Sequence, residues 1–107
     1  MNIRTFTIAG FSVVLSLLAA PLHAEGDAAA GKNKTAMCAG CHGIAGFKTA
    51  YPETYHVPKL GGQNAGYIVN ALKAYKAGDR QHPTMKAIAA SLTEQDMADL
   101  AAYYSAK

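Results

Sequence analysis

The sequence predicts a small all-α domain of four to five short helices. After residue 60, apolar residues recur three and four positions apart in several separate stretches, which is the spacing of one helix face. No stretch alternates apolar and polar residues for long, so the sequence contains no convincing strand. Ten glycines and four prolines interrupt the 107-residue chain, and they keep each predicted helix short.

Residues 1–24 are expected to be a secretory signal peptide that is removed from the mature protein. Arg4 is the single charged side chain ahead of residues 6–20, which are mostly apolar. Pro21 then breaks the segment, and the small residue Ala24 offers a cleavage point. The apolar stretch is shorter than the roughly 20 residues that a membrane-spanning helix needs. The mature domain should therefore span residues 25–107 and function in the periplasm.

Composition narrows the class of protein further. Half of the residues are hydrophobic and the formal net charge is +3, which excludes an intrinsically disordered chain. Two cysteines are too few for a disulfide-dense scaffold. The lysines are scattered and acidic residues crowd the C-terminal segment, so no nucleic-acid partner is expected. A mature domain of this size has a thin core, and it usually needs a disulfide, a metal or a cofactor for stability.

Four segments of the mature domain carry helix signals. Asp27 is placed to cap a first helix over residues 28–37. Asn64 caps a second helix that ends at Gly78 and has an apolar stripe of Tyr67, Ile68, Ala71, Leu72 and Tyr75. A short third helix begins at Met85, on the spacing of Met85, Ile88, Ala89 and Leu92. Thr93 caps the last helix, whose core face is formed by Met97, Leu100, Ala101 and Tyr104.

Both cysteines of the chain lie in one motif, Cys38-Ala39-Gly40-Cys41-His42. This is the spacing for attachment of a c-type haem, because one turn of backbone presents both thiols to the two vinyl groups on one haem edge. His42 is then placed to bind the iron as the proximal ligand. Residues 43–59 contain glycines, prolines and aromatic residues without a helical period, and they are expected to form a loop that wraps the cofactor.

Two other functions compete for the same residues. An exported Cys-x-x-Cys pair can exchange disulfides, but that chemistry is typical of a strand-helix context that the sequence does not predict. A zinc site would need a second Cys/His pair at matching spacing, which the sequence lacks, although it contains His56 and His82. The motif, the export signal and the small size together favour haem attachment.

The sixth ligand of the iron decides between electron transfer and ligand binding, since an open position admits ligands. The candidates are Met37, Met85, Met97, His56 and His82. Met37 adjoins the motif and cannot reach the opposite haem face, whereas Met97 fits a packing stripe. Met85 lies far enough downstream for the chain to cross the haem edge, so it is the favoured ligand. His82 is its rival, and His56 is expected at the surface.

The residues together resemble class I cytochromes c, and within them the small bacterial group similar to cytochrome c5, cytochrome c-553 and the single domains of dihaem cytochrome c4. The resemblance spans nearly all of the mature domain, and the order and spacing of its motifs are specific. The matching positions are residues 26–32, 38–43, 58–63, 78–80 and 96–104, together with Tyr67, Leu72, Met85 and Leu92.

This resemblance implies a class I cytochrome c fold with four to five short helices wrapped around one covalently attached haem. It implies that Met85 is the axial methionine. It also implies that the carbonyl of Pro58 accepts a hydrogen bond from the ring of His42 and so orients that ligand. Leu60 and Tyr67 are expected to pack against the haem.

Three further features concern the helix crossing and the departures from the cytochrome c4 pattern. Gly31 resembles the small residue at which the first and last helices cross, with Tyr103 or Tyr104 packed over it. The single Cys-x-x-Cys-His motif implies one haem. The loop over residues 47–57 is longer and more aromatic than in cytochrome c4 domains, and it contains Tyr51 and Tyr55.

The expected function is that of a soluble periplasmic one-electron carrier between respiratory or dehydrogenase complexes, with donor and acceptor proteins docking at the haem edge. No substrate bond is made or broken, so the protein is not expected to be an enzyme. The protein is expected to be a monomer, and it is not expected to insert into the membrane after the signal peptide is cleaved. The alternatives are a haem protein with an open or weakly held distal site, which would bind ligands or act as a peroxidase, and a haem-free thiol-disulfide oxidoreductase.

Overall fold

The computed structural model describes residues 25–51 and 53–107, so the expected signal peptide at residues 1–24 lies outside the described residues. The predicted all-α class is confirmed, with five helices in the described part of the chain. The elements in chain order are α1 (Ala28–Lys32), α2 (Ala36–His42), β1 (Lys48–Thr49), β2 (Tyr55–His56), α3 (Ala65–Ala77), α4 (Pro83–Ala90) and α5 (Glu94–Ser105). None of the described helices is long and apolar enough to cross a membrane.

The first predicted helix is divided in two, so the prediction of one helix over residues 28–37 is wrong. Helix α1 ends at Lys32, and α2 begins only at Ala36. The Thr35 hydroxyl donates a hydrogen bond to the carbonyl of Lys32 at 2.9 Å, which satisfies the end of α1 within a turn. Helix propensity alone does not show that the chain turns here between α1 and α2. The cap at Asp27 is confirmed, since its carboxylate accepts from the backbone N–H of Ala29 at 2.8 Å.

The crossing of α1 and α5 requires a residue without a side chain at position 31. Gly31 is buried, and a Cβ atom at this position would collide with the backbone carbonyl of Asp99 and come within 2.9 Å of the Cβ of Tyr103. The prediction that Gly31 marks the crossing of the first and last helices, with an aromatic residue over it, is therefore confirmed. Glycine is required because the two backbones are in direct contact.

A buried carboxylate fixes the same crossing. Asp99 is 3% exposed, and its oxygens accept hydrogen bonds from the backbone N–H of Asp27 at 2.8 Å and from the side-chain amide of Gln95 at 2.8 Å. The Lys34 ammonium donates to Asp99 at 2.6 Å and pairs with Asp96 at 2.8 Å. Asp99 thus links the start of α1, the turn after it and α5, which satisfies a carboxylate that would otherwise be costly to bury.

The remaining helices form the small core. Helix α3 packs against both α4 and α5, and the buried apolar side chains are Ile68, Ala89, Met97, Leu100 and Ala101. The predicted caps of α3 and α5 are confirmed, because Asn64 accepts from the N–H of Tyr67 at 3.0 Å and Thr93 forms a capping box with Asp96. Helix α3 ends at Gly78, whose φ of 86° lies in the left-handed region.

Two further features of the structure differ from the sequence prediction, namely the start of α4 and the loop before α3. Helix α4 begins at Pro83, two residues before the predicted start at Met85, because His82 serves as its N-cap. The loop over residues 43–59 contains an antiparallel pair in which Lys48 faces His56 and Thr49 faces Tyr55. Two-residue strands are too short to leave an alternating pattern in a sequence, so this pair was not predictable from it.

Candidate haem site

A cavity of about 610 Å³ separates α2 and the following loop from α3 and α4. This volume lies within the range of cofactor sites. Every residue that the sequence assigned to the site lines this one cavity, namely Cys38, Cys41, His42, Pro58, Leu60, Tyr67 and Met85. Apolar residues of α3, α4 and α5 complete the walls, among them Ile68, Leu72, Ile88 and Leu100.

Helix α2 depends on whatever occupies this cavity. It buries none of its own residues, and it packs extensively on no other element of the described chain. Its side chains Cys38, Cys41 and His42 instead line the cavity. A seven-residue helix is unstable by itself in water, so α2 needs a partner to hold it. The two thiols and the imidazole of α2 could bind a cofactor, and α2 packs extensively on no other described element. Both observations fit a group that is attached covalently to this helix.

The proximal histidine candidate is already oriented. Nδ1 of His42 lies 2.6 Å from the carbonyl oxygen of Pro58. Because a carbonyl oxygen only accepts, the proton of the neutral ring resides on Nδ1 and is donated to Pro58. Nε2 is then left with its lone pair free, which is the form of imidazole that binds metals.

The half-buried Cys38 does not have the features of a redox thiol. Burial raises the pKa of the Cys38 thiol, although a hydrogen bond with Tyr104 partly opposes this rise. Burial, together with the neighbouring Cys38, raises the pKa of Tyr104 to about 12. Disulfide exchange needs a cysteine whose pKa is lowered, because the thiolate is the nucleophile. The environment of Cys38 therefore disfavours the haem-free oxidoreductase.

Met85 and its rival His82 lie in one turn of the chain and have different environments. Met85 is half-buried in the first turn of α4 and lines the cavity. The backbone N–H of Met85 donates to Nδ1 of His82 at 3.2 Å. A neutral histidine that binds a metal through Nε2 carries its proton on Nδ1 and cannot accept this hydrogen bond. The geometry thus favours Met85 over His82 as a ligand.

The other ligand candidates fall where the sequence indicated. Met97 is 1% exposed in the core, and Met37 is 56% exposed beside the cysteine motif. His56 is exposed in β2. Sequence reasoning missed two residues, Asp99 at the helix crossing and Tyr104 beside Cys38. In the sequence, Asp99 is one of several acids near the C-terminus, and a helix sequence does not show which of its acids faces a neighbouring backbone.

Comparison with known proteins identifies the family. The model of the family described as cytochrome c matches residues 28–105. The chain belongs to the cytochrome c family. It is 39% identical over 97 residues to cytochrome c4 from Pseudomonas aeruginosa, which covers 90% of this chain and 46% of that protein. It is 42% identical over 85 residues to cytochrome c-554(548) from Halomonas halodenitrificans, which covers 77% of this chain and 98% of that protein.

A solved structure agrees with the sequence relatives. Cytochrome c4 from Acidithiobacillus ferrooxidans superposes with a TM-score of 0.62 at 32% identity, covering 78% of this chain and 51% of that one. The chain thus spans about half the length of the cytochrome c4 proteins that it matches. These findings confirm the class I cytochrome c fold and a covalently bound c-type haem as the cofactor.

Proposed function

We propose that this cytochrome c is a periplasmic one-electron carrier, with its haem bound to Cys38 and Cys41 by thioethers and its iron held by His42 and Met85. One observation carries the proposal, namely that all four side chains line the same cavity. The hydrogen bond from His42 to Pro58 supports it further, because this bond leaves Nε2 free for a metal.

The residues around the site suit electron transfer. A haem with these ligands supplies a one-electron couple between Fe(III) and Fe(II). The thioether of Met85 is a soft, neutral ligand, and it favours Fe(II) more than a second histidine would. Leu60 and Tyr67 supply apolar surface for the cofactor, and the buried Leu100 helps to exclude water from the cavity. No residue is required to make or break a substrate bond.

Donor and acceptor proteins would dock where the cavity reaches the surface. Met37 and Tyr67 line the cavity and are 56% and 53% exposed, so they supply apolar contact area there. Lys34 is removed from any docking role by its pairing with Asp96 and Asp99. We expect a monomer that binds respiratory or dehydrogenase complexes only transiently.

The first test is an absorption spectrum of the exported protein, oxidised and then reduced, before and after extraction with acid-acetone. We expect haem that resists extraction, sharp reduced bands, and the weak far-red band of methionine sulfur on ferric iron. The mass of the mature protein should correspond to residues 25–107 plus haem. Haem removed by extraction would contradict the attachment to Cys38 and Cys41. Retained haem without the far-red band would favour an open distal site.

The variant Met85→Ala tests the axial ligand directly. We expect it to abolish the far-red band and the low-spin six-coordinate iron, because the other methionines of the described residues are Met37, beside the motif, and Met97, in the core. The matched control is Met37→Ala, which removes an exposed methionine beside the motif and should leave the band in place. A Met85→Ala protein with an unchanged spectrum would refute the assignment.

A further inference from the structure

The ring of His82 joins three parts of the molecule. It caps the N-terminus of α4 by accepting a hydrogen bond from the backbone N–H of Met85. The ring of Tyr55, from β2, lies 4.8 Å from it between centroids. The ring of Tyr75, from α3, lies 6.2 Å away at 78°, an edge-to-face arrangement. His82 therefore lies close to two aromatic rings while its Nδ1 accepts a hydrogen bond from the Met85 backbone.

The cap acts on Met85 because of the local sequence. The first N–H groups of a helix have no partner within the helix. Pro83 occupies the first position of α4 and has no N–H to satisfy. Met85 occupies the third position, and its N–H is the one that His82 satisfies. The methionine side chain is flexible, so a fixed backbone beneath it restricts where the sulfur can lie.

The antiparallel pair of β1 and β2, called the hairpin below, supplies the other support. This is the segment that the sequence marked as longer and more aromatic than in cytochrome c4 domains. Tyr55 is fixed there by its hydroxyl, which donates to Glu53 at 2.8 Å, and by its N–H, which donates to the Thr49 hydroxyl at 3.3 Å. By contrast, Tyr51 in the same hairpin is 88% exposed.

The geometry points to His82 as a positioning residue for the Met85 ligand, clamped by the hairpin through Tyr55. The inference rests on the proposed ligation by Met85. His82 does not bind the iron itself. It lowers the free energy of the first turn of α4 in the arrangement that directs Met85 into the cavity, and Tyr55 keeps the ring in the orientation that the cap requires.

The test measures how easily an external ligand displaces Met85. Imidazole is titrated into the ferric haem-bound protein, and its affinity and the loss of the far-red band are recorded for the wild type, His82→Ala and His82→Asn. We expect His82→Ala to bind imidazole about fivefold more tightly, the equivalent of one lost helix cap. Asn is itself a strong N-cap residue, so His82→Asn should stay within about twofold of the wild type.

The hairpin contribution is tested with matched tyrosine variants. Tyr55→Leu should raise the imidazole affinity about threefold, because the ring contact with His82 is lost. Tyr55→Phe keeps the ring but loses the hydroxyl bond to Glu53, so it should raise the imidazole affinity by less than Tyr55→Leu does. Tyr51→Leu is the control for changes in the hairpin itself, and it should have no effect on imidazole affinity.

The outcomes separate the inference from the function on which it depends. An unchanged imidazole affinity in His82→Ala would overturn the positioning role, and so would a His82→Asn protein that behaves like His82→Ala. Loss of low-spin iron in His82→Ala but not in Met85→Ala would show that His82 is the ligand, and the proposed ligation itself would then fail. Circular dichroism confirms that each variant is folded before titration.

Discussion

Helices α1 and α2 are held in place in different ways, although they are neighbours in the chain. Helix α1 is in backbone contact with α5, where Gly31 leaves no gap and Asp99 accepts three hydrogen bonds. Helix α2 buries none of its residues and lies beside a cavity of about 610 Å³. The first region is completed by protein groups alone. The second leaves a cavity that the proposed haem would fill, so the cofactor would also act as part of the core.

Removal of both attachment cysteines should have the largest effect on the protein. This effect should be confined to the region of α2. In the Cys38→Ala, Cys41→Ala double variant, we expect no bound haem and amide hydrogen exchange in α2 at least about tenfold faster, since α2 packs extensively on no other described element. The amides of α5 should keep more of their protection. Exchange measured by mass spectrometry tests this, and slow exchange in α2 without haem would show that protein contacts suffice there.

Gly31→Ala tests the other region. The added Cβ meets the backbone of Asp99, which cannot move aside as a flexible side chain could, so α1 and α5 must separate. We expect a loss of about 3 kcal/mol in the free energy of unfolding, measured by denaturant titration. The control is the opposite substitution at an exposed site, Ala29→Gly, which changes helix propensity without changing buried packing. It should lower the free energy of unfolding by only about 1 kcal/mol. Equal losses of unfolding free energy in the two variants would contradict the conclusion that Gly31 is needed for the packing of α1 on α5.

Acid should weaken the helix crossing through its carboxylates. The Lys34 ammonium, together with backbone and side-chain donors, lowers the pKa of Asp96 and of Asp99 from 3.8 to about 2. A lowered pKa stabilises the folded state fully above pH 4, and this stabilisation is lost as the pH falls towards 2. Thermal melts between pH 5 and pH 2 should show this decline. It should be shallower in Asp99→Asn, whose melting temperature at neutral pH should be several degrees lower than that of the wild type.

The exposed pair of Lys73 and Glu94 should matter least. Its atoms lie 3.4 Å apart, and the side chains are 45% and 85% exposed, so water screens the attraction. Lys73→Gln should change the free energy of unfolding by no more than about 0.5 kcal/mol. A larger loss in chemical denaturation would mean that surface pairs between α3 and α5 contribute to the core, and the contrast with Lys34 would disappear.

The sequence predicted the helical class, three N-caps and the glycine at the helix crossing, because these depend on local chemistry or on a resemblance at specific positions. It grouped the seven candidate site residues, from Cys38 to Met85, and all of them line one cavity. It did not predict the break between α1 and α2. That break depends on where Lys34 and Thr35 find their partners, and the partners of Lys34 lie more than 60 positions away in the sequence.

His82 shows the same difference between what the sequence predicts and what the folded structure reveals. The sequence placed it near Met85 as a rival ligand, since residue type and spacing alone allow either side chain to bind iron. Only the folded chain shows that its Nδ1 is occupied by the Met85 N–H and that Tyr55 packs against its ring. The sequence by itself determined the haem chemistry, because the attachment motif is continuous in the chain. The tertiary structure decided which side chains line one cavity and which hydrogen bonds their ring nitrogens make, because these depend on how separate segments of the chain come together.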